Sequence, residues 1–233
     1  LSTSAGPAVV ASVLTGDFTS NAIAQGPDYH VALADGLYAF SAAGGGRTIE
    51  TPAPLAGPER IVAIAVDGTG VVFLTCPQST AGTCRLFDAP RAQSTATLMG
   101  SFTGLMGGVA PRASVAIAGG HVYVLGVQRL YRLPRSGGAV EVAYRGEPFP
   151  QYGGTLASGS LEAIGTRLYF GSVCHFDADA PGYGTVELDL HSQTARWLNL
   201  DPDWPFVAHL APYGGAQSPA LWHTPAGVYV VRP

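Results

Sequence analysis

A short segment around residue 175 gathers side chains that commonly bind metal ions. It reads Cys174-His175-Phe176-Asp177-Ala178-Asp179. A cysteine beside a histidine suits zinc or copper, whereas an Asp-x-Asp pair suits calcium. The calcium pattern fails at its third ligand, where Pro181 stands. The segment therefore predicts a Zn or Ca site held by His175, Asp177 and Asp179. The alternative is a buried free cysteine beside a solvent-facing acidic turn.

Aromatic side chains stand beside carboxylates in two further segments, Asp201 to Tyr213 and Gly146 to Gly153. Aromatic rings stack on sugar rings while carboxylates accept hydrogen bonds from sugar hydroxyls, so these segments predict a glycan-binding surface. Alternatively, the same aromatics form a hydrophobic lid. The residues that we expect to contact a ligand are Arg60, Arg112, Phe149, Tyr152, Asp203, Trp204, His209, Tyr213 and Trp222.

Three cysteines bear on the compartment in which the protein works. Cys76 and Cys84 flank a polar segment and are predicted to close a hairpin as a disulfide, while Cys174 is left over. Such a bridge implies an oxidising environment. The chain begins with Leu1 rather than Met, so we expect a mature or trimmed product of a secreted or periplasmic protein. No apolar run approaches the roughly 20 residues that span a bilayer.

Composition excludes some partners and leaves others open. The 233 residues carry a net charge of −4, which argues against nucleic acid because its phosphates need a basic surface. All twelve basic residues are arginine, which reflects either codon bias or recognition of phosphate or carboxylate groups. The sequence has no G-x-S-x-G, H-E-x-x-H or phosphate-binding glycine motif.

The elements that must position these residues are short strands in a repeated pattern. Residues Ala113 to Gly146 hold four apolar runs separated by turns, which predicts a four-stranded antiparallel meander of half-buried strands. A small–apolar pair marks the first strand of each copy, at intervals of 41 to 57 residues: Ala22-Ile23, Ala63-Ile64, Ala116-Ile117, Ala163-Ile164 and Ala220-Leu221. This spacing is typical of propeller blades.

The two ends of the chain are predicted to share one sheet. The fifth copy stops at Pro233 with two strands missing, and the runs Leu1–Thr3 and Ala8–Leu14 supply them. We therefore predict an all-β, five-bladed β-propeller in which the termini complete the last blade and remove a free sheet edge. Its predicted blades are residues 19–57, 58–104, 110–148, 158–201, and 215–233 together with 1–16. The alternative fold is a β-sandwich with irregular hairpins.

The predicted loops differ in length between the two ends of the blades. Blade-to-blade loops and the loops between second and third strands share one face and are long, whereas the opposite turns are short. The long loops are predicted at Ser101–Pro111, Gly146–Gly159, Asp201–Gln217, Pro77–Thr83 and Val173–Gly184. We interpret this face as the ligand site, and the alternative is that the long loops pack on each other as a cap.

Several of the repeated phrases resemble known propellers. Ile64-Ala65-Val66-Asp67-Gly68, the run Arg129–Leu133 and Ser136-Gly137-Gly138 look like secreted bacterial propellers of the YWTD and NHL groups. Those groups usually have six blades and include binding modules, lactonases and lyases, so the resemblance implies architecture and no single chemistry.

The resemblance also implies a place for a metal ion at the channel. Lactonase-type propellers hold calcium with Glu, Asn and Asp around the channel, and here Asn21 and Glu162 both directly precede the aligned alanine. The alternative is that Glu162 has a structural role, paired with an arginine.

Two functions follow as hypotheses. The first is a secreted binding module that presents an aromatic and acidic loop face to a glycan, peptide or small molecule. The second is a metal-assisted lactonase, lyase or hydrolase, with Ca or Zn near Glu162, His175 or Asp177 and His209 as an acid–base residue.

Overall fold

The described part of the chain is built from β-strands and the turns between them. The computed structural model describes residues 18–25, 28–33, 36–41, 46–49, 59–77, 82–91, 93–103, 105, 113–126, 129–145, 155–175, 181–201, 209–212, 220–224 and 227–231. None of these residues belongs to a helix long and apolar enough to cross a membrane.

Consecutive strands pair with each other to form five sheets. Sheet 1 contains β1 (Phe18–Gln25), β2 (Asp28–Leu33), β3 (Gly36–Ser41) and β4 (Gly46–Ile49). Sheet 2 contains β5 (Glu59–Asp67), β6 (Gly70–Pro77), β7 (Thr83–Pro90) and β8 (Thr97–Thr103). Sheet 3 contains β9 (Ser114–Ala118), β10 (His121–Leu125), β11 (Arg129–Pro134) and β12 (Glu141–Arg145). Sheet 4 contains β13 (Thr155–Ile164), β14 (Arg167–His175), β15 (Pro181–Asp189) and β16 (Thr194–Asp201). Sheet 5 contains β17 (His209–Pro212), β18 (Ala220–Thr224) and β19 (Gly227–Val231).

The chain divides into two compact units, Leu1–Phe102 and Thr103–Pro233. In the first unit, apolar side chains of sheets 1 and 2 form one core: Leu37, Ala39, Ile49, Ile61, Ile64, Val66, Val71, Phe73, Phe87, Ala89 and Ala96. The Phe73 and Phe87 rings stack within it, with centroids 5.2 Å apart. In the second unit, sheets 3 and 4 share a core of Ala116, Ala118, Tyr123, Leu125, Leu130, Leu161, Leu168, Phe170, Val186 and Leu188.

The second strands of sheets 2, 3 and 4 are buried on both faces, not half-buried as their sequences predicted. Val71 to Cys76 of β6 are buried without interruption, as are Val122 to Leu125 of β10 and Leu168 to Phe170 of β14. Because successive strand residues point to opposite faces, an unbroken buried run means that both faces of the sheet are covered.

Two hairpins show how local sequence sets these sheets. Asp67 ends β5, and its Oδ1 accepts hydrogen bonds from the backbone N–H groups of Thr69 (2.8 Å) and Gly70 (3.2 Å). Gly119 and Gly120 join β9 to β10 with φ of 55° and 75°. Positive φ at both central residues is what a two-residue type I′ hairpin turn requires, and glycine adopts it without a Cβ clash.

The prediction of an all-β chain with four-stranded antiparallel sheets is confirmed. The predicted loop Val173–Gly184 is wrong, because β14 continues to His175 and β15 begins at Pro181. Three other predicted loops are also partly strand. β13 begins at Thr155, β8 continues to Thr103, and β17 lies inside the predicted loop 201–217. These segments contain Gly, Pro and Ser, which lower strand propensity, but their backbone groups pair with a neighbouring strand. The predicted N-terminal strands Leu1–Thr3 and Ala8–Leu14 lie outside the described residues.

Candidate functional site

The two ends of each meander differ in what they carry. The first and third strands begin where the second and fourth strands end, and we call this the loop end of a sheet; the other is the turn end. In sheet 2 the loop end is marked by Glu59, Pro77, Thr83 and Thr103. In sheet 2, the polar side chains of Glu59 and Thr75 are buried at this end.

A buried carboxylate lies at the loop end of sheet 2. The Glu59 side chain is only 6% exposed, and Arg85 donates hydrogen bonds to both of its oxygens: Nε lies 2.9 Å from Oε1, and a terminal guanidinium nitrogen contacts Oε2. The Thr75 hydroxyl also donates to Oε1, at 2.5 Å. The carboxylate is therefore held by three strands, β5, β6 and β7.

The buried charge of the Glu59 carboxylate depends on Arg85 as its counter-ion. A carboxylate removed from water is costly unless an opposite charge and hydrogen bonds replace its hydration. The hydrogen bond to Glu59 raises the pKa of Arg85, and the guanidinium also lies over the Phe87 ring, 5.4 Å from its centroid. The ion pair thus fixes the relative positions of the strands that begin and end here.

A disulfide closes the same end of the sheet. Cys76 near the end of β6 and Cys84 near the start of β7 are bonded, with Cα atoms 4.2 Å apart and both side chains buried. Arg60 lies directly opposite Cys76 on β5 and is exposed. A covalent link and a buried ion pair therefore hold this end in place beside one exposed arginine.

Removing the disulfide is expected to destabilise the protein moderately. The two cysteines are eight positions apart, and closing a loop of this length stabilises the fold by about 2–3 kcal/mol in the chain-entropy model. The double variant Cys76→Ala/Cys84→Ala should lose that amount in urea unfolding at pH 7. Wild-type protein unfolded in reductant should match the variant. An unchanged midpoint in the double variant would contradict the expectation.

Sheet 4 carries a polar row across all four of its strands. One residue on each strand from β13 to β16 contributes to this row. Glu162 is paired with Tyr169, Tyr169 with Glu187, and Glu187 with Arg196. Arg196 Nε donates to Glu187 Oε1 at 2.7 Å, and Arg167 lies 3.8 Å from the other Glu187 oxygen. Tyr169 is fully buried at the centre of this row.

Burial and neighbouring charge shift the protonation of this row. Burial raises the pKa of Glu162 from 4.5 to about 8. Burial also acts to raise the pKa of Glu187, but hydrogen bonds from Arg196 and Tyr169 and the charges of Arg196 and Arg167 together outweigh it, so the pKa of Glu187 lies below its usual range. Burial raises the pKa of Tyr169, and the charge of Glu187 raises it further. At neutral pH the row therefore pairs a protonated carboxylic acid with an ionised one.

Sheet 3 has a similar row with the charges exchanged. Tyr123, Arg132 and Glu141 lie opposite one another on β10, β11 and β12, and Arg132 donates to Glu141 at 3.0 Å. Here the third strand supplies the cation and the fourth the anion, whereas in sheet 4 the order is reversed. Burial raises the pKa of Tyr123, while Arg132 acts against this shift. Alanine (Ala116) occupies the first-strand position that Glu162 has in sheet 4.

The strand register separates residues that the sequence had grouped. Glu162 lies two pairs from its hairpin turn, whereas Asn21 lies four pairs from its own, so they do not occupy equivalent positions. His175 lies six residues along β14 from Tyr169, the partner of Glu162, which is roughly 20 Å. One ion could not bind both. A metal site formed by His175 with Asp177 and Asp179 stays a prediction that does not include Glu162.

The predicted site residues fall into three groups. Arg60 is exposed and Glu162 is half-buried on first strands. The backbone places His175 on β14, and His209 and Trp222 on β17 and β18, where the strand register pairs His209 with His223 and Trp222 with Leu210. Outside the described residues lie Arg112, Phe149, Tyr152, Asp177, Asp179, Asp203, Trp204 and Tyr213. Within the described ranges, no three His, Cys, Asp or Glu side chains come close enough to hold a metal ion.

Sequence reasoning missed the groups that the register brings together. Glu59 with Arg85 and Tyr169 with Glu187 are 26 and 18 positions apart and share no motif. The signal that would have found them is strand pairing counted outward from each hairpin turn, which places opposite residues at predictable spacings.

Comparison with known proteins identifies the type of fold. No protein-family model matches the chain, and no curated protein sequence matches it significantly. Solved structures do match: an oligogalacturonate lyase in complex with manganese (TM-score 0.57, 12% identity, 85% of this chain and 56% of that chain) and an oligogalacturonate lyase from Vibrio parahaemolyticus (0.58, 10%, 88% and 60%).

A third similar structure is an extracellular domain from B. thetaiotaomicron, described as part of a hybrid two-component system (TM-score 0.56, 14% identity, 91% of this chain and 26% of that chain). These neighbours are propeller-type folds, so the four-stranded antiparallel sheets of this chain have propeller-like relatives. The chain spans 56% and 60% of the lengths of the two lyases. At these identities the likeness concerns the fold alone.

Proposed function

We propose that this chain is a ligand-binding propeller of an extracytoplasmic protein, which holds a glycan, peptide or small molecule at the loop end of its sheets. The observation that carries the proposal is the construction of that end in sheet 2. There, a disulfide and a buried Glu59–Arg85 ion pair fix the backbone next to exposed Arg60. Preorganised ends of this kind suit binding because little conformational entropy is lost when a ligand binds.

The architecture belongs to the same proposal. Sheet 5 differs from the predicted fifth copy, because β17 pairs with β18 and the pair Ala220-Leu221 therefore lies on the middle strand and not on a first strand. We take the ring to have five blades, with one strand from residues 1–16 completing the last blade. The link to YWTD and NHL propellers rests on the repeated phrases in the sequence. The disulfide, and the likeness in fold to an extracellular domain from B. thetaiotaomicron, support a secreted or periplasmic location.

A glycan is the ligand that we favour, because aromatic and acidic residues concentrate in loops predicted at this end. Trp204→Ala should lower glycan binding about tenfold or more, since one stacked indole contributes roughly 1–3 kcal/mol. The measurement is retention on a glycan array followed by titration of the best glycan.

The control for the Trp204 experiment is Leu98→Ala, which removes an exposed apolar side chain from β8. It should bind like wild type, and both variants should keep the wild-type thermal midpoint. If the wild-type protein retains no glycan, the glycan proposal fails.

The second candidate is a metal-assisted lyase, lactonase or hydrolase. Two observations favour it: two similar structures are oligogalacturonate lyases, one of them with manganese, and Glu162 holds its proton at neutral pH, as a general acid must. Metal analysis of the purified protein separates the candidates. A stoichiometric, tightly held ion together with cleavage of oligogalacturonate would favour the enzyme, and a metal-free protein that binds glycan unchanged would favour the binding module.

A further inference from the structure

The two ends of the sheets differ in how their charges are compensated. Among the described side chains, the carboxylates that reach solvent lie towards the turn ends, as Asp67, Glu141 and Asp189 do. The loop ends of sheets 2 and 3 carry exposed arginines instead: Arg60 near the start of β5 and Arg129 at the start of β11. No carboxylate of a described residue forms an ion pair with either arginine. In both sheets the described part of the loop end is therefore positively charged.

Glu59 directly precedes Arg60 but does not compensate its charge. Both Glu59 oxygens contact the Arg85 guanidinium, and the Thr75 hydroxyl donates to one of them. Successive residues of a strand point to opposite faces of the sheet, so the buried Glu59 and the exposed Arg60 lie on different faces. The carboxylate is neutralised by Arg85 within the sheet, and the charge of Arg60 remains available to a group from outside.

The backbone that carries Arg60 is held in place by its neighbours. Cys76 lies directly opposite Arg60 in the strand register and is bonded to Cys84, and both cysteines are buried. Directly opposite residues have Cβ atoms about 4.5–5.5 Å apart, so the Arg60 side chain starts beside this disulfide. Because the ion pair on the other face also joins β5 to β7, Arg60 extends from strands whose relative positions are fixed. An anion that binds there does not have to order the backbone first.

We infer that Arg60 binds an oxyanion group of the ligand, so that the ligand at the loop end of sheet 2 is an acidic glycan and not a neutral one; this rests on the proposed glycan-binding function and names its ligand class. Arginine suits this role because its planar guanidinium donates two parallel hydrogen bonds to an oxyanion such as a carboxylate. A hydroxyl group of a neutral sugar could accept a hydrogen bond from arginine but would leave the cation uncompensated.

The experiment is retention of the full chain on an array of neutral oligosaccharides and of the same oligosaccharides carrying uronate or sulfate-ester groups, followed by calorimetric titration of the best acidic member. Arg60→Gln should bind that member about 10- to 100-fold more weakly, the loss of a charge-assisted contact. Arg60→Lys keeps the charge but not the paired hydrogen bonds, so its affinity should lie between those of wild type and Arg60→Gln. Arg91→Gln is the matched control, because it removes an exposed arginine from the turn end of the same sheet, and it should bind within about twofold of wild type.

Stronger retention of wild type on acidic members, with uronate or with sulfate, supports the inference and identifies the oxyanion. Retention that is no stronger on acidic members than on their neutral counterparts overturns the inference and leaves the proposed function intact, whereas retention on no member overturns both. Equal affinities of wild type and Arg60→Gln, or equal losses in Arg60→Gln and Arg91→Gln, also overturn the inference. Because Arg60 and Arg91 are exposed, all three variants should keep the wild-type thermal midpoint, so a loss of affinity reports on the contact and not on folding.

Discussion

Arg85→Leu is expected to lower the free energy of unfolding by about 3–5 kcal/mol at pH 7, the cost of leaving a buried carboxylate without its counter-ion. Glu59 is 6% exposed, and Arg85 is bonded to both of its oxygens. After the substitution the Thr75 hydroxyl would still donate to that carboxylate, but the guanidinium that neutralises its charge would be gone. The loss should shrink in acid, because a protonated carboxyl group carries no charge to desolvate. Urea unfolding at pH 7 and pH 4 measures both effects.

Arg132→Leu is the matched control for this prediction. Arg132 also sits on a third strand and also bonds a glutamate, Glu141, but its partner is 59% exposed. Exposed ion pairs contribute about 0–1 kcal/mol, so this variant should stay close to wild type. The comparison holds the residue types constant and changes the burial. If both variants lose the same stability, the burial of Glu59 does not have the role given to it.

The double variant Glu59→Leu/Arg85→Leu tests whether the ion pair stabilises the fold more than two apolar side chains would, or only offsets the cost of burying its own charges. Replacing a buried ion pair by apolar side chains of similar volume is often neutral or stabilising. We therefore expect the double variant to recover most of the stability that Arg85→Leu loses. If the disulfide end of sheet 2 binds ligand, the double variant should fold but lose affinity, because Arg85 helps to fix the strands beside Arg60.

Much of the fold could be predicted because turns and apolar runs are local signals. Gly119 and Gly120 indicate a hairpin by themselves, and so does Asp67 followed by glycine. The pair Cys76 and Cys84 could be proposed as a disulfide because the residues flank one predicted loop between two strands, and two strands of a hairpin bring such residues together. None of these inferences needs a long-range contact.

Strand ends could not be predicted in the same way. Pro181, Gly182 and Gly184 have low strand propensity, yet all three pair with β14. Backbone hydrogen bonding between two strands extends as far as the partner strand offers N–H and C=O groups, and the local sequence does not identify that partner. The prediction of a long loop at Val173–Gly184 was wrong for this reason. The predicted difference in loop length between the two sheet ends is correspondingly smaller.

The polar rows depend on register, and register depends on turn length. Asn21 and Glu162 looked equivalent because each precedes a small–apolar pair, but they are four and two pairs from their turns. The exchange of charges between Arg132–Glu141 and Glu187–Arg196 is visible only once each strand is counted from its hairpin. A shift of one residue moves a side chain to the other face, so alignment by sequence similarity alone loses this information.

The substitution Glu162→Gln is expected to make the protein more stable in alkaline solution and to leave it unchanged in acid. Burial raises the pKa of Glu162 from 4.5 to about 8, so between these values the folded protein binds a proton that the unfolded chain has released. The free energy of unfolding therefore falls as pH rises through this window and levels off above pH 8. The total fall attributable to Glu162 is on the order of 5 kcal/mol.

Glutamine keeps the shape of the protonated acid and cannot ionise. The free energy of unfolding of Glu162→Gln should therefore exceed that of wild type by this amount at pH 9 and equal it at pH 4. Glu141→Gln, an exposed glutamate in an ion pair with Arg132, is the control and should stay within about 1 kcal/mol of wild type at both pH values. Chemical denaturation at a series of pH values measures how the free energy of unfolding of each protein changes with pH. If Glu162→Gln keeps the wild-type slope, the carboxyl group is ionised in the folded protein, and the argument that it could act as a general acid fails with it.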